Sequence, residues 1–381
     1  MEVSVTVKME MMTINKKAMK SNHNLPLLLI ISMLCTYSYS QENAGIQDTA
    51  AHEPYKVELT SKNDFDFFAS EEPLQITLCF DIREFIKTRS QPEYYDARLT
   101  VKISENDSIS QNIKLKARGI MRLSYCSFPP ILLKFKDSDN ETERIQGKGS
   151  IKLVTHCNKS SSFEGYVFKE YLTYRLFNLV TPYSFKTRLV KINYVDINKP
   201  DNAFTAYGFL IENEDKMAER NNTVIIKNKN ITQRNMNSID MERVAVFNYM
   251  IGNTDWSVPL QHNVKILKSL EVLSDKGIPV AYDFDYSGLV NTIYSAPAEE
   301  LPIKIVTERY YLGLCFGDEE LKPIIEEFGG MQGQLLGTIK DFEYLSKGEK
   351  KQVETYINGF YKMYRNQNIL ISDLNRTCKQ F

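Results

Sequence analysis

The sequence is short of the residues on which several kinds of chemistry depend. It has four histidines in 381 residues, and only His52, His156 and His262 follow residue 40. Metal-dependent phosphoesterase sites usually recruit several imidazole ligands, so that reading is weak. The six cysteines form no CxxC pair and no Cys/His spacing suited to zinc. Trp256 is the sole tryptophan, and no glycine-rich phosphate loop is visible. No apolar run reaches the roughly 20 residues that a membrane-crossing helix needs. Charge of one sign is lacking too. A formal net charge of −1 gives no reason to expect nucleic acid or an anionic membrane surface as partner. No internal repeat or low-complexity block interrupts the chain.

What is present begins with an export pattern. Residues 25–35 (LPLLLIISMLC) are an apolar run preceded by Lys16, Lys17 and Lys20 and followed by Ser38-Tyr39-Ser40. Basic, apolar and small-residue regions in that order make a secretory signal, with cleavage expected near Ser40-Gln41. Residues 1–18 read as an upstream extension, with Met19 as a plausible start. Leu34 is too large to favour a lipid anchor at Cys35. The expected location is secreted, periplasmic or cell-envelope, with no transmembrane segment after cleavage. Residues 1–40 hold four Lys and two Glu, so their removal takes the net charge from −1 to −3. Cys79, Cys126, Cys157, Cys315 and Cys378 then remain. Export permits disulfides, and the odd number leaves at least one thiol free. Buried thiols and bridges both fit.

Residues 41–54 are polar and read as a flexible tether. Alternation and β-branched content predict strands over 74–80, 97–103, 112–116 and 131–136. A helix follows over 164–180, stopped at Thr181-Pro182, and strands return at 188–195 and 207–211. Ser238 can cap a helix over 239–251 that ends at Gly252, with Met241, Val244, Phe247 and Ile251 on its buried face. Short strands are expected at 264–267 and 280–284. From Asp318 the chain reads as helical, with a capping box at Ser346–Glu349 and an apolar stripe of Val353, Ile357, Phe360 and Tyr364. The expectation is an α+β fold of two lobes with a cleft between them. Residues 55–222 would form a β-rich N-terminal lobe with one main helix, and residues 223–381 a mainly helical C-terminal lobe.

The stretch richest in chemistry is Gly252-Asn253-Thr254-Asp255-Trp256, continuing to His262-Asn263 and then Tyr282-Asp283-Phe284-Asp285. Asp255 follows a helix end, where a loop can present it to a cleft. Asp283 and Asp285 are two apart at a strand end and can point the same way. Carboxylates with a nearby Asn are hard oxygen donors suited to magnesium or manganese. Such ions bridge phosphate oxygens while a separate Asp accepts a proton from the attacking hydroxyl.

Over about residues 74–300 the order of motifs resembles the spore-coat protein H-like (CotH) kinase family, atypical secreted protein kinases. Lys116-Ala117-Arg118-Gly119 with Ile131-Leu132-Leu133-Lys134-Phe135 resembles the family's Arg-Gly turn and following strand. The helix from Glu170 to Phe177 and the strand Tyr207-Gly208-Phe209-Leu210-Ile211-Glu212 resemble its next elements. Gly252-Asn253-Thr254-Asp255 with Asn263 resembles its catalytic loop, and Tyr282-Asp283-Phe284-Asp285 its metal-binding segment. The resemblance implies a two-lobed atypical protein-kinase-like fold with Asp255 as catalytic base. It implies Asn263, Asp283 and Asp285 as metal ligands, and ATP with Mg²⁺ or Mn²⁺ as cofactors. Lys134 would bind phosphate with Glu170 as its helix partner, Arg118 would contact phosphate, and Glu212 would line the nucleotide site. The implied activity is phosphoryl transfer to Ser/Thr hydroxyls of an envelope or secreted protein.

The alternative is an inactive pseudokinase or binding scaffold of the envelope. It rests on Ser127-Phe128-Pro129-Pro130, where the family shows basic residues, and on Tyr282 in place of a Trp. The export pattern carries its own test. Intact-mass measurement of protein from the envelope fraction should place the N-terminus near Gln41, and retention of residues 1–40 would refute the signal.

Overall fold

Leu74, Ile76, Leu78 and Phe80 point to one side of the first strand, β1 (Leu74–Phe80), and are buried there. This period of two is what a sheet with one buried face demands. The computed structural model describes residues 65–379 except 92, 136–148, 229, 272–274 and 316. The expected signal (1–40) and tether (41–54) lie outside the described residues. After β1 come α1 (Ile82–Lys87), β2 (Tyr95–Lys102), β3 (Ser108–Ala117), α2 (Met121–Tyr125), β4 (Ile131–Lys134) and β5 (Ser150–Val154). The long helix α3 (Ser161–Val180) follows, then the hairpin β6 (Thr187–Asp196) and β7 (Lys199–Ile211). Leu99, Val101, Leu115, Leu133, Leu153, Ile192 and Leu210 repeat the inward pattern and fill one core with β1.

β6 closes this sheet. It pairs antiparallel with β7 and parallel with β1, from Leu74↔Val190 to Phe80↔Asp196. The seven strands therefore form a closed barrel in the order β1-β2-β3-β4-β5-β7-β6. Gly208 of β7 lies so close to β5 that a Cβ there would sit 2.5 Å from the Val154 carbonyl oxygen.

The second half continues with α4 (Glu214–Arg220), β8 (Thr223–Ile225), α5 (Ser238–Ile251), β9 (Val264–Ser269) and β10 (Ile278–Ala281). The three strands make a separate antiparallel sheet in the order β10-β9-β8. The chain ends in α6 (Asp318–Gly330), α7 (Gln332–Asp341), α8 (Lys347–Tyr364) and α9 (Gln367–Thr377). Ser346 and Glu349 cap α8 reciprocally, and Val353, Ile357 and Phe360 are buried as the stripe predicts. The cap of α5 differs from expectation. Asn237, one residue before Ser238, takes the Asp240 N–H.

The expected two-lobed kinase-like α+β arrangement is overturned by this architecture. The N-terminal strands close on themselves through the parallel β1–β6 pairing, which alternation within a strand does not reveal. Nor is the C-terminal half mainly helical in the expected sense. It begins with its own sheet, and the described residues between β10 and α6 contain no helix. One hydrophobic core runs from Val154, Leu189 and Phe209 of the barrel strands through α3 and α5 to Leu374 of α9. α3 is the wall shared by both halves, and apolar residues all round it are buried, as an interior helix requires.

Cys126 bonds Cys157, and Cys315 bonds Cys378, leaving Cys79 as the free thiol among the described residues. The bridges close loops of 31 and 63 residues, each removing about 3–4 kcal/mol of unfolded-state entropy. Among the described residues no helix is long and apolar enough to cross a membrane. Both facts are compatible with a secreted or envelope location.

His156 is buried against Phe128, Tyr194 and Phe204, and its Nδ1 has no hydrogen-bond partner. Burial, reinforced by Lys159, lowers its pKa from 6.5 to about 4. The folded state refuses a proton that the unfolded chain accepts, so stability present above pH 6.5 falls as pH drops towards 4. The loss should reach up to about 3 kcal/mol. Urea unfolding of His156→Phe should lack most of that decline, and an unchanged pH profile would show that another group causes it.

Candidate functional site

The first half of the site is built on the end of α5. Gly252 terminates the helix at φ 65°, and a Cβ there would sit 2.0 Å from the Tyr356 hydroxyl. Only glycine fits this sharp exit. Buried Asn253 donates from Nδ2 to Asn248 Oδ1 at 2.8 Å and accepts the Asp255 N–H at 3.1 Å. The loop is thereby locked from within, and Asp255 emerges half-exposed. Trp256 beside it is a core residue. The Asp255 carboxylate is gripped at both oxygens, by His262 Nε2 at 2.8 Å and by Asn263 Nδ2 at 3.0 Å. Asn263 also donates to the Asp255 carbonyl at 2.8 Å, and its φ of 52° turns the chain back into β9. This use of the amide nitrogen leaves Asn263 Oδ1 as the atom available to a further donor or cation.

The second half follows β10. The Asn263 carbonyl accepts the Tyr282 N–H at 3.0 Å, which sets Asp283 beside the Asp255 loop. Asp283 adopts φ 64°, and its N–H donates to the hydroxyl of Tyr174, buried on α3, at 2.8 Å. Asp285 turns inward. Its Oδ2 accepts from Arg122 Nε at 2.9 Å and from the Tyr294 hydroxyl at 3.1 Å. Arg122 Nη2 meets Glu170 Oε2 at 2.5 Å, while Glu170 Oε1 is buried without a partner. Burial raises the pKa of Glu170 against the pull of Arg122, with Asp285 and Asp283 adding to the rise. Burial likewise raises Asp285, again opposed by Arg122 and reinforced by Asp283. For Arg122 burial opposes the charge, but Asp285 and Glu170 outweigh it and hold the guanidinium protonated.

A cationic side faces these acids. Lys152 of β5 is half-buried, with its ammonium 5.0 Å from the Tyr282 ring centre and 5.9 Å from that of Phe185. Burial, together with Arg118 and Lys265, lowers its pKa to about 8, while Glu214 and Asp283 pull it up. Lys265 is itself paired with Glu214 at 2.6 Å. Phosphate oxygens are the kind of anion that a lysine and an arginine in such a position recognise.

The expected residues therefore divide. Asp255 and Asn263 are hydrogen-bonded to each other, and Asp283, Asp285, Glu170 and Arg118 lie around one electrostatic centre. Lys134 and Glu212 lie elsewhere. Lys134 is exposed, with its ammonium 5.2 Å from the Tyr94 ring centre, and the partner of Glu170 is Arg122. Glu212 binds Arg220 at 2.8 Å and the Lys186 N–H at 3.0 Å, a tie between α4 and the start of β6. Arg122, Lys152, Tyr174 and His262 are the residues that sequence reasoning missed. Lys152 carried no more signal than Lys134, since it takes the outward position of a regular alternation between Ile151 and Leu153. Arg122 carried none beyond its place four residues after Arg118.

Among the described residues no group of three or more His, Cys, Asp or Glu side chains is placed to hold a metal ion. The arrangement explains this, because Arg122 already engages Asp285 and Glu170. Compared with known proteins, the chain matches no family model and no curated protein.

Removing the guanidinium would leave two buried carboxylates without a counter-charge. Arg122→Met should destabilise the fold by about 3–5 kcal/mol at pH 8. The deficit should shrink at pH 5, where protonation relieves both acids. Urea midpoints at the two pH values check this, and a loss independent of pH would point to lost packing instead.

Proposed function

We propose that the chain is an exported phosphotransferase, dependent on a nucleotide and a divalent metal, that acts on Ser/Thr hydroxyls of an envelope or secreted protein. The observation that supports it most is the pairing of two halves: a half-exposed Asp255 gripped at both oxygens, and Lys152 with Arg118 beside Asp283. The motifs at 252–263 and 282–285, and their resemblance to the CotH kinase family, belong to the same reading.

In this reading Lys152 and Arg118 hold the phosphates of ATP. An incoming hydroxyl attacks the terminal phosphorus, the bond to the nucleoside diphosphate breaks, and Asp255 accepts the hydroxyl proton. His262 and Asn263 keep the Asp255 carboxylate turned towards that proton. Asp283 and Asn263, the latter through Oδ1, are the residues that would hold Mg²⁺ or Mn²⁺, hard oxygen donors of the kind such ions take. Such an ion would neutralise charge on the phosphates when bound. A second reading, a binding scaffold without catalysis, is favoured by one observation. Arg122 engages two of the three acids that would otherwise enlarge the metal site.

Purified chain, labelled ATP, Mn²⁺ and an envelope extract test the proposal. Asp255→Asn should cut transfer by about 10²-fold or more while nucleotide binding survives. Lys152→Met should weaken nucleotide binding, and in the unsubstituted chain that binding should fall as pH rises through about 8, where Lys152 loses its charge. Nucleotide binding without any transfer would establish the scaffold reading. Transfer that persists in Asp255→Asn would assign the base elsewhere.

A further inference from the structure

Three acids meet behind the exposed part of the site, and two of them, Glu170 and Asp285, are engaged directly by Arg122. Arg122 stands on the one-turn helix α2, which leaves the barrel after Gly119 at φ 97° and is anchored at its far end by the Cys126–Cys157 bond. From there the guanidinium reaches Glu170 of α3 at 2.5 Å and Asp285 beyond β10 at 2.9 Å. Glu170 is only 1% exposed, yet its Oε1 has no hydrogen-bond partner. A carboxylate at such depth normally has both oxygens satisfied. One guanidinium nitrogen satisfies one oxygen, whereas a divalent ion bridging Glu170, Asp285 and Asp283 could draw on the second.

We propose that Arg122 is a built-in cation, filling the seat that a divalent ion would otherwise take between Glu170 and Asp285. It is a positioning residue. Unlike a metal it neither dissociates nor loses its charge, since guanidinium stays protonated in proteins. The acids are thus held in place whatever the metal supply outside the cell, and exchangeable metal is confined to Asp283 and Asn263. Only this last clause rests on the phosphotransferase reading.

Counting bound Mn²⁺ per chain, by electron paramagnetic resonance of the free ion, tests the proposal on the full-length chain. Arg122→Gln should bind one Mn²⁺ more than the unsubstituted chain. Arg122→Lys, which restores a fixed charge, should not, and adding Glu170→Gln to Arg122→Gln should abolish the extra ion. An unchanged count in a folded Arg122→Gln overturns the proposal. If that variant folds poorly, Mn²⁺ should restore its circular dichroism where equal ionic strength of NaCl does not, and failure to do so also counts against it. A measurement on the unsubstituted chain is independent of folding defects. The Arg122 Nε–H resonance should keep its protection in saturating Mg²⁺, and its release to solvent would show that the ion displaces the arginine. A count of zero in the unsubstituted chain would instead refute metal binding at Asp283 and Asn263, leaving the increment in Arg122→Gln readable.

Discussion

The contact on which the site depends is the buried bridge from Arg122 to Glu170 and Asp285. It joins three segments far apart in the chain: the turn between β3 and β4, the middle of α3, and the loop beyond β10. The groups are nearly excluded from water, so their attraction is screened far less than at the surface. Desolvating them is costly in the same measure, and well-packed apolar residues could have stabilised the fold as much. What the bridge contributes is therefore better described as position. A Glu170 without Arg122 would be an unanswered buried acid, and Asp285 would lose the partner that turns it inward. With Asp285 fixed inward, Asp283 two residues earlier is left facing Lys152 and the Asp255 loop.

That division between Asp283 and Asp285 depends on backbone as well as charge. In an extended strand, residues i and i+2 share a face, so the two carboxylates were expected to point together. Asp283 breaks the strand by adopting φ 64°, a conformation that non-glycine residues seldom take and that Asp tolerates better than most. Its N–H, released from any ladder, is taken up by Tyr174. The buried phenol thus holds the turn, and the two carboxylates still meet within side-chain hydrogen-bonding reach, as their spacing suggested. Asn263 makes a similar left-handed turn at the neighbouring strand end. Both turns lie at strand ends of the small sheet, where the chain leaves regular pairing.

Much of the fold was legible because it rests on local periodicity. β1 occupies the expected residues, α3 begins three residues earlier than expected and ends at the expected residue, and the α8 cap follows from Ser346 and Glu349. Closure of the barrel was not legible, because pairing β1 with β6 is a contact between residues more than a hundred apart. The same limit governs the site. The Asp255–Asn263 pair lies within one loop and was within reach of reasoning from spacing. Arg122 with Glu170 and Asp285 depends on three tertiary approaches at once, and no periodicity encodes them.

The two lysines show why the rest could not be decided from sequence. β4 and β5 pair with Leu132 opposite Lys152 and Lys134 opposite Ser150. Ile131, Leu133, Ile151 and Leu153 fill the barrel. Both lysines therefore project from the same outer face, two residues apart in register, with the same alternation on either side. Strand pattern alone makes them equivalent candidates for an anion site. They differ in what covers that face. Phe185 from the α3–β6 connection and Tyr282 beyond β10 lie over Lys152, and Arg118 with Lys265 crowds its charge. Lys134 stands exposed over the ring of Tyr94. The chemistry of a strand lysine is set here by loops from other parts of the chain, so a lysine with an ordinary neighbourhood in sequence has an unusual one in space.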